Sequence, residues 1–265
     1  MTTEFAQLGL ILQLEQTLSD LGYITPTPIQ SEIIPLRLDG HDVIGQAQTG
    51  TGKTAAFILP ILQTLERGHC GIQALVLTPT RELAVQIMES FEDYGRYLNL
   101  KQTVIYGGVR QEKQVKALKY GVDILVATPG RLLDLHNQKF LRLDKVEVFV
   151  LDEADRMLDM GFLPDVKKIH SFITKNSQTM LFSATMPIEI QRLTKTFLKN
   201  PVKVEVTPPS STVDKIDQRV LFVDRENKGA LLKSVLEDAT IERALIFART
   251  KHGANKIVKN LSKNA

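Results

Sequence analysis

The chain has 265 residues, 43% hydrophobic and 24% charged, with 33 Lys and Arg against 30 Asp and Glu; such proportions supply a globular core and exclude a disordered, collagen-like or rod-like chain. Cys70 is the single cysteine and cannot form an internal disulfide, and the five histidines lack metal-ligand spacing, which argues against a structural zinc site. Because the first basic residue is Arg37 and the longest apolar run is only about 55–62, neither a secretory signal nor a bilayer span is expected, and the cytoplasm is the expected compartment.

Over residues 1–206, short β-branched or leucine-rich runs alternate with longer amphipathic segments, the rhythm of βα units around a parallel sheet. Strands are predicted at 42–47, 74–78, 102–106, 123–128, 146–151, 179–183 and 202–206. Helical stretches lie between them, among them 55–65 and 80–98, the latter with Leu83, Ile87, Met88, Phe91 and Tyr94 on one stripe. The segment 207–214, beginning Thr207-Pro208-Pro209-Ser210-Ser211-Thr212, has the composition of an interdomain linker. Residues 215–265 then restart the pattern, with a strand at 218–224, a helix at 227–238, a strand at 244–249 and a helix at 251–262. This part carries a formal charge of +5 against −2 for residues 1–214. Two βα units bury little surface, so the second domain is expected to be cut short.

In an open parallel sheet, ligands bind beyond the carboxyl ends of the strands, and the residues there carry the functional reading. After the first predicted strand comes Ala47-Gln48-Thr49-Gly50-Thr51-Gly52-Lys53-Thr54, leading into a helical run. This suits a phosphate-binding loop: glycines let backbone N–H groups converge on phosphate oxygens, Lys53 reaches the β- and γ-phosphates, and Thr54 offers a hydroxyl to Mg2+. An ordinary glycine-rich turn is the alternative, and the union of strand, loop, Gly-Lys-Thr and helix weighs against it. The run 146–151 ends in Asp152-Glu153-Ala154-Asp155, an acid where a phosphate loop on a neighbouring strand needs a Mg2+ partner. Asp152 fits the metal role, and Glu153 could orient or deprotonate an attacking water. Without the loop, these residues would be a solvated acidic turn. Pro79-Thr80-Arg81, Gly107-Gly108, Thr128-Pro129-Gly130-Arg131 and Ser183-Ala184-Thr185 follow other strands. Each alone is turn or cap chemistry, but Arg81 and Arg131 follow turn residues at helix N-termini, where phosphates collect.

As a set, these residues resemble the DEAD-box family of ATP-dependent RNA helicases, with the flavour of its bacterial RhlE-type branch. The likeness includes Phe5 and the stretch from Gly22 to Gln30, similar to the Q motif (3–31 here), and the loop 47–54, where the family also has Ala at the position of Ala47. Asp152 to Asp155 match its namesake motif, Ser183 to Thr185 its third and Leu245 to Thr250 its fourth. The resemblance implies a RecA-like parallel sheet sandwiched by helices, an α/β P-loop NTPase fold, plus an incomplete second RecA-like domain. It implies ATP and Mg2+ as cofactors, with Gln30 reading adenine, Thr25 nearby, and Tyr23 and Phe5 packing on or near the base. Gln48, Thr49, Gly50, Thr51, Gly52, Lys53 and Thr54 would hold the phosphates, with Thr54 and, through a water, Asp152 on Mg2+. Lys53, Asp152 and Glu153 would be catalytic, and Ser183 and Thr185 would bond to Asp155, coupling the two ligands. Pro79, Thr80, Arg81, Gly107, Gly108, Thr128, Gly130 and Arg131 would grip the backbone of one RNA strand independently of sequence. The implied activity is RNA-stimulated ATP hydrolysis with local separation of short duplexes or RNP remodelling. An ATP-gated RNA clamp and a DNA translocase are the alternatives, and ribosomal or RNA-degradation partners stay unassigned. The family's last two motifs, including its arginine finger, are not found up to Ala265.

Overall fold

The structure, a computed structural model, describes residues 4–65, 71–206, 217 and 219–262. Cys70 and the predicted 207–214 linker lie outside the described residues. A short 3-10 helix, Glu4–Leu8, and two helices, α1 (Leu12–Asp20) and α2 (Pro28–Leu38), precede the first strand, β1 (Val43–Gln46). Helices and strands then alternate as α3 (Lys53–Thr64), β2 (Ala74–Leu77), α4 (Arg81–Tyr94), β3 (Gln102–Ile105), α5 (Glu112–Lys119), β4 (Ile124–Ala127) and α6 (Pro129–Asn137). After these come β5 (Val148–Leu151), α7 (Ala154–Asp159), α8 (Leu163–His170), β6 (Gln178–Ser183), α9 (Ile188–Phe197) and β7 (Val202–Glu205). The seven strands predicted within residues 1–206 are present, most of them trimmed by a residue or two. The predicted 80–98 helix ends at Tyr94, where Gly95 terminates it.

The strands pair in parallel in the order β3-β4-β2-β5-β6-β1-β7. One expectation is corrected here: the strand bearing Asp152 and the strand bearing the phosphate loop are not neighbours, because β6 lies between β5 and β1. Successive side chains of a strand point to opposite faces, and the sheet is covered on both faces at its centre, so β2, β4 and β5 are apolar throughout, whereas the edge strands β3 and β7 carry Gln102, Thr103, Lys203 and Glu205. Val43, Val76, Val126, Val150 and Phe182 join a core with Ile33, Phe57 and Phe91 of α2, α3 and α4. Ile44, Leu77, Leu125, Phe149 and Leu181 join a second core with Leu132, Val166 and Leu193 of α6, α8 and α9.

Gly45 is set by close approach: a Cβ there would lie 2.5 and 2.6 Å from the Phe182 ring and 3.1 Å from Ile33 Cδ1. At the amino ends of the strands, buried Asp42 accepts from Thr179 N (2.7 Å) and Lys199 N (2.6 Å), tying β6 and the approach to β7 to the start of β1. Asp123 does the same beside β4 by accepting from Lys101 N at 2.8 Å. Chemistry is thus left to the opposite edge.

The chain divides into units Met1–Pro209 and Ser210–Ala265. In the second, helices α10 (Lys228–Leu236) and α11 (Lys251–Leu261) form, and Thr250 caps the latter by accepting from Gly253 N at 3.0 Å. The strands predicted at 218–224 and 244–249 are corrected: the described residues there join no ladder, and Gln218 lies outside them. Val220, Phe222, Leu245 and Phe247 are exposed, and a strand without a partner leaves its backbone groups unpaired. Among the described residues, no helix is long and apolar enough to cross a membrane.

Candidate active site

Parallel pairing brings all the strand ends to one edge, with Gln46 opposite Ser183 and Leu77 opposite both Leu151 and Ala127. The loop after β1 has Gly50 at φ +84° and Gly52 at φ +94°, a left-handed backbone that favours glycine. At Gly52 space is also decisive, because a Cβ would come within 2.5 Å of Gln30 Nε2 and 2.7 Å of Thr27 Oγ1. The start of α2 therefore packs directly on the loop. Gln30, 3% exposed, donates through Nε2 to Gly52 O (3.1 Å) and accepts through Oε1 from Thr27 N (2.9 Å). Lys53, buried at the first turn of α3, donates to Ala47 O at 2.7 Å, and Thr51 Oγ1 donates to Gln48 O at 2.8 Å. Gln48, Thr49 and Gly50 are exposed and Thr54 is half-buried at the helix start, where N–H groups attract anions.

Asp152 follows β5 and is 4% exposed, with one carboxylate oxygen accepting from Glu153 N at 3.1 Å. Burial pushes its carboxyl up to about 6; the Lys53 ammonium opposes that rise, while Glu153 and Asp155 add to it. A buried carboxylate so placed favours a cation, which is the fit expected for Mg2+. Among the described residues no cluster of three or more His, Cys, Asp or Glu could hold a metal. Glu153 has φ +53° and ψ +52°, a left-handed conformation uncommon for a residue other than glycine. Its Oε2 lies 3.1 Å from Arg156 Nη1. Thr49, Lys53, Glu153, Asp155, Arg156 and Ala184 line a cavity of about 190 Å³.

Asp155 accepts from Thr185 N and from Thr185 Oγ1, both at 2.9 Å. Burial alone would raise its carboxyl, but these bonds, the Ser183 hydroxyl and the Arg156 amide outweigh that and hold it below the usual carboxylate range. Ser183 bonds to Asp155 as well: its Oγ accepts from the Asp155 backbone N (3.2 Å) and donates to Thr185 O (2.7 Å).

Farther along the edge, Thr80 accepts from Leu83 N at 3.3 Å and caps α4, with Pro79 buried behind it. Arg81 lies with its guanidinium carbon 4.7 Å from the centroid of the Tyr106 ring, a cation–π contact. Gly107, Gly108 and Gly130 are exposed, Gly108 at φ +80°, and Thr128 is half-buried before α6.

Two expected contacts are corrected. Phe5 is fully buried in the core under α1, α2 and α3, so its ring has no face open to a base; among the predicted adenine partners, the exposed aromatic is Tyr23, set edge-on to Tyr94 at 6.0 Å. Arg131 does not offer its guanidinium outward: Nη2 donates to Val109 O (2.8 Å), Nη1 to Gln114 Oε1 (3.1 Å), and the side chain is 11% exposed. Thr25 is exposed in the turn before α2. Tyr106, Gln114 and Arg156 belong to the site but not to any predicted motif. The one legible signal is Gln114 on the stripe of Gln111, Val115 and Leu118, where an inward amide needs a partner.

A parallel sheet with a glycine-rich phosphate loop after β1 and acids after β5 defines a P-loop nucleotide-binding protein. Residues 27–193 match the DEAD/DEAH box helicase family, and the chain belongs to that family. It is 45% identical over 258 residues to the DEAD-box ATP-dependent RNA helicase CshA of Streptococcus pneumoniae, covering 97% of this chain and 49% of that protein. It is also 45% identical over 263 residues to the ATP-dependent RNA helicase DeaD of Escherichia coli, covering 99% of this chain and 42% of that one. The crystal structure of a DEAD box protein from the hyperthermophile Methanococcus jannaschii superposes with a TM-score of 0.73 at 37% identity, covering 98% of this chain and 70% of that one. The chain spans about half the length of the curated relatives it matches.

Proposed function

We propose that this chain carries the ATP site and part of the RNA-binding surface of a cytoplasmic RNA-stimulated ATPase that separates short RNA duplexes. The observation that carries the reading is one continuous edge: a phosphate loop with Asp152 and Glu153 at one end, Arg81 and the Gly107-Gly108 turn at the other, and the Asp155–Thr185 bonds beside the nucleotide end. Gln30 keeps a second N–H and a lone pair for the N7 and N6 positions of adenine, whereas guanine would oppose acceptor to acceptor. Phosphate oxygens would compete with Ala47 O for the Lys53 ammonium, and Thr54 and, through a water, Asp152 would hold Mg2+, whose charge would offset that on the transferring phosphoryl group. Glu153, aimed by its left-handed backbone and Arg156, accepts the proton of the attacking water. Arg81, Thr80 and the glycine turns bind sugar-phosphate rather than base edges, so recognition is independent of sequence.

The test is strand separation of a short RNA duplex by the full-length protein with ATP, GTP or no nucleotide. Separation with ATP alone is expected. ATP-dependent retention on RNA without separation would replace unwinding by clamping, and equal action on DNA would remove RNA as the substrate.

A further inference from the structure

The turn after β3 has little packing of its own: side chains added at Gly107 and Gly108 would meet nothing within 4 Å. Bonds to its flanking carbonyls hold it instead. Gln114 of α5, 8% exposed, donates through Nε2 to Tyr106 O at 3.1 Å. Arg131 of α6 donates through Nη2 to Val109 O at 2.8 Å. The two side chains are joined, Arg131 Nη1 donating to Gln114 Oε1 at 3.1 Å, and Arg131 Nε lies 3.8 Å from Asp134 Oδ2. The glycines are thus bracketed on both sides by one two-residue clamp. Tyr106 extends it, because the ring carrying Arg81 belongs to the residue whose carbonyl Gln114 holds.

We propose that Gln114 and Arg131 are positioning residues that hold the Gly107-Gly108 turn, and through Tyr106 the Arg81 guanidinium, in the arrangement that receives the RNA backbone. Arg131 acts through the turn, not by pairing with a phosphate. A guanidinium bonded to a carbonyl and an amide, beside a carboxylate and mostly out of solvent, has little left to offer a strand in water. This inference rests on the RNA reading above.

The test measures binding of a short single-stranded RNA to the full-length protein with a non-hydrolysable ATP analogue, at several salt concentrations. The variants are Gln114→Ala, Arg131→Ala and the double variant. Gln114→Glu serves as a size-preserving variant that keeps an acceptor for Arg131 but loses the donor to Tyr106 O. Each alanine variant is expected to bind RNA about tenfold more weakly, because it removes two bonds of the clamp and leaves one flanking carbonyl of the turn without its donor. The double variant should bind no worse than the weaker single one, since both break one clamp, and Gln114→Glu should fall between parent and Gln114→Ala. In Arg131→Ala the slope of log affinity against log salt should match the parent. Amide exchange over residues 107–110 should accelerate in the RNA-free variants. Additive losses, a salt slope shallower by about 0.7 in Arg131→Ala, or unchanged exchange would each overturn the clamp. A parent that binds no RNA overturns the functional reading itself. A parent that binds RNA while Gln114→Ala binds it equally overturns only the positioning role.

Discussion

Asp152→Asn keeps the shape of the side chain and an oxygen to accept from Glu153 N, and removes only the charge. In the nucleotide-free protein the native carboxyl has its midpoint raised from 3.8 to about 6 by burial, against the pull of Lys53. A raised acid binds its proton more tightly in the folded chain, so ionisation costs folded stability progressively from about pH 4 to about pH 6 and by a constant amount above that. At 1.36 kcal/mol per pH unit the cost is about 3 kcal/mol at pH 7.5 and about 1 kcal/mol at pH 4.5. Asp152→Asn should therefore stabilise the protein by those amounts in urea unfolding followed by circular dichroism, with EDTA present and no nucleotide. Saturating Mg2+ and ATP should abolish or reverse the gain, because the variant gives up the ligand that the charge serves. An equal gain at both pH values, or none at pH 7.5, would refute burial as the source of the raised carboxyl.

Gly45→Ala should lose about 1–3 kcal/mol in the same assay, since its methyl would sit 2.5 Å from the Phe182 ring in a packed core. Asp42→Ala should cost about 3 kcal/mol by stripping acceptors from Thr179 N and Lys199 N, with nucleotide affinity in calorimetry unchanged because both bonds lie at the far edge. Lys53→Ala should weaken ATP binding by about 10- to 100-fold, whereas Glu153→Gln should bind ATP normally and hydrolyse it about 10²- to 10⁴-fold more slowly. Hydrolysis at the parental rate in Glu153→Gln would take away its role in water activation.

The sheet and the phosphate loop were legible because they rest on local pattern: apolar runs closed by turn residues, and glycines ahead of Gly52-Lys53-Thr54. What the sequence could not convey were relations between distant segments. An aromatic before the Q motif looks the same whether its ring faces a base or, like Phe5, the core. An arginine after Thr-Pro-Gly looks like a phosphate ligand until Val109 O and Gln114 are found at its guanidinium. Strand order is equally hidden, so β6 between β1 and β5 could not be anticipated from motif order. The second-unit strands failed for a related reason: the apolar runs 218–224 and 244–249 promise strands, but a strand exists only where another pairs with it.

The central claim, that one sheet edge joins an adenine-nucleotide site to an RNA-backbone surface through Asp155 and Thr185, is tested most directly by steady-state hydrolysis. Full-length protein is titrated with single-stranded RNA, and with DNA of the same sequence, at saturating ATP. RNA should raise turnover severalfold and DNA should not, while Thr185→Val, which removes the hydroxyl bonded to Asp155, should leave the RNA-free rate near the parent's and blunt the RNA response. Turnover that ignores RNA, or that responds equally to DNA, would contradict the account.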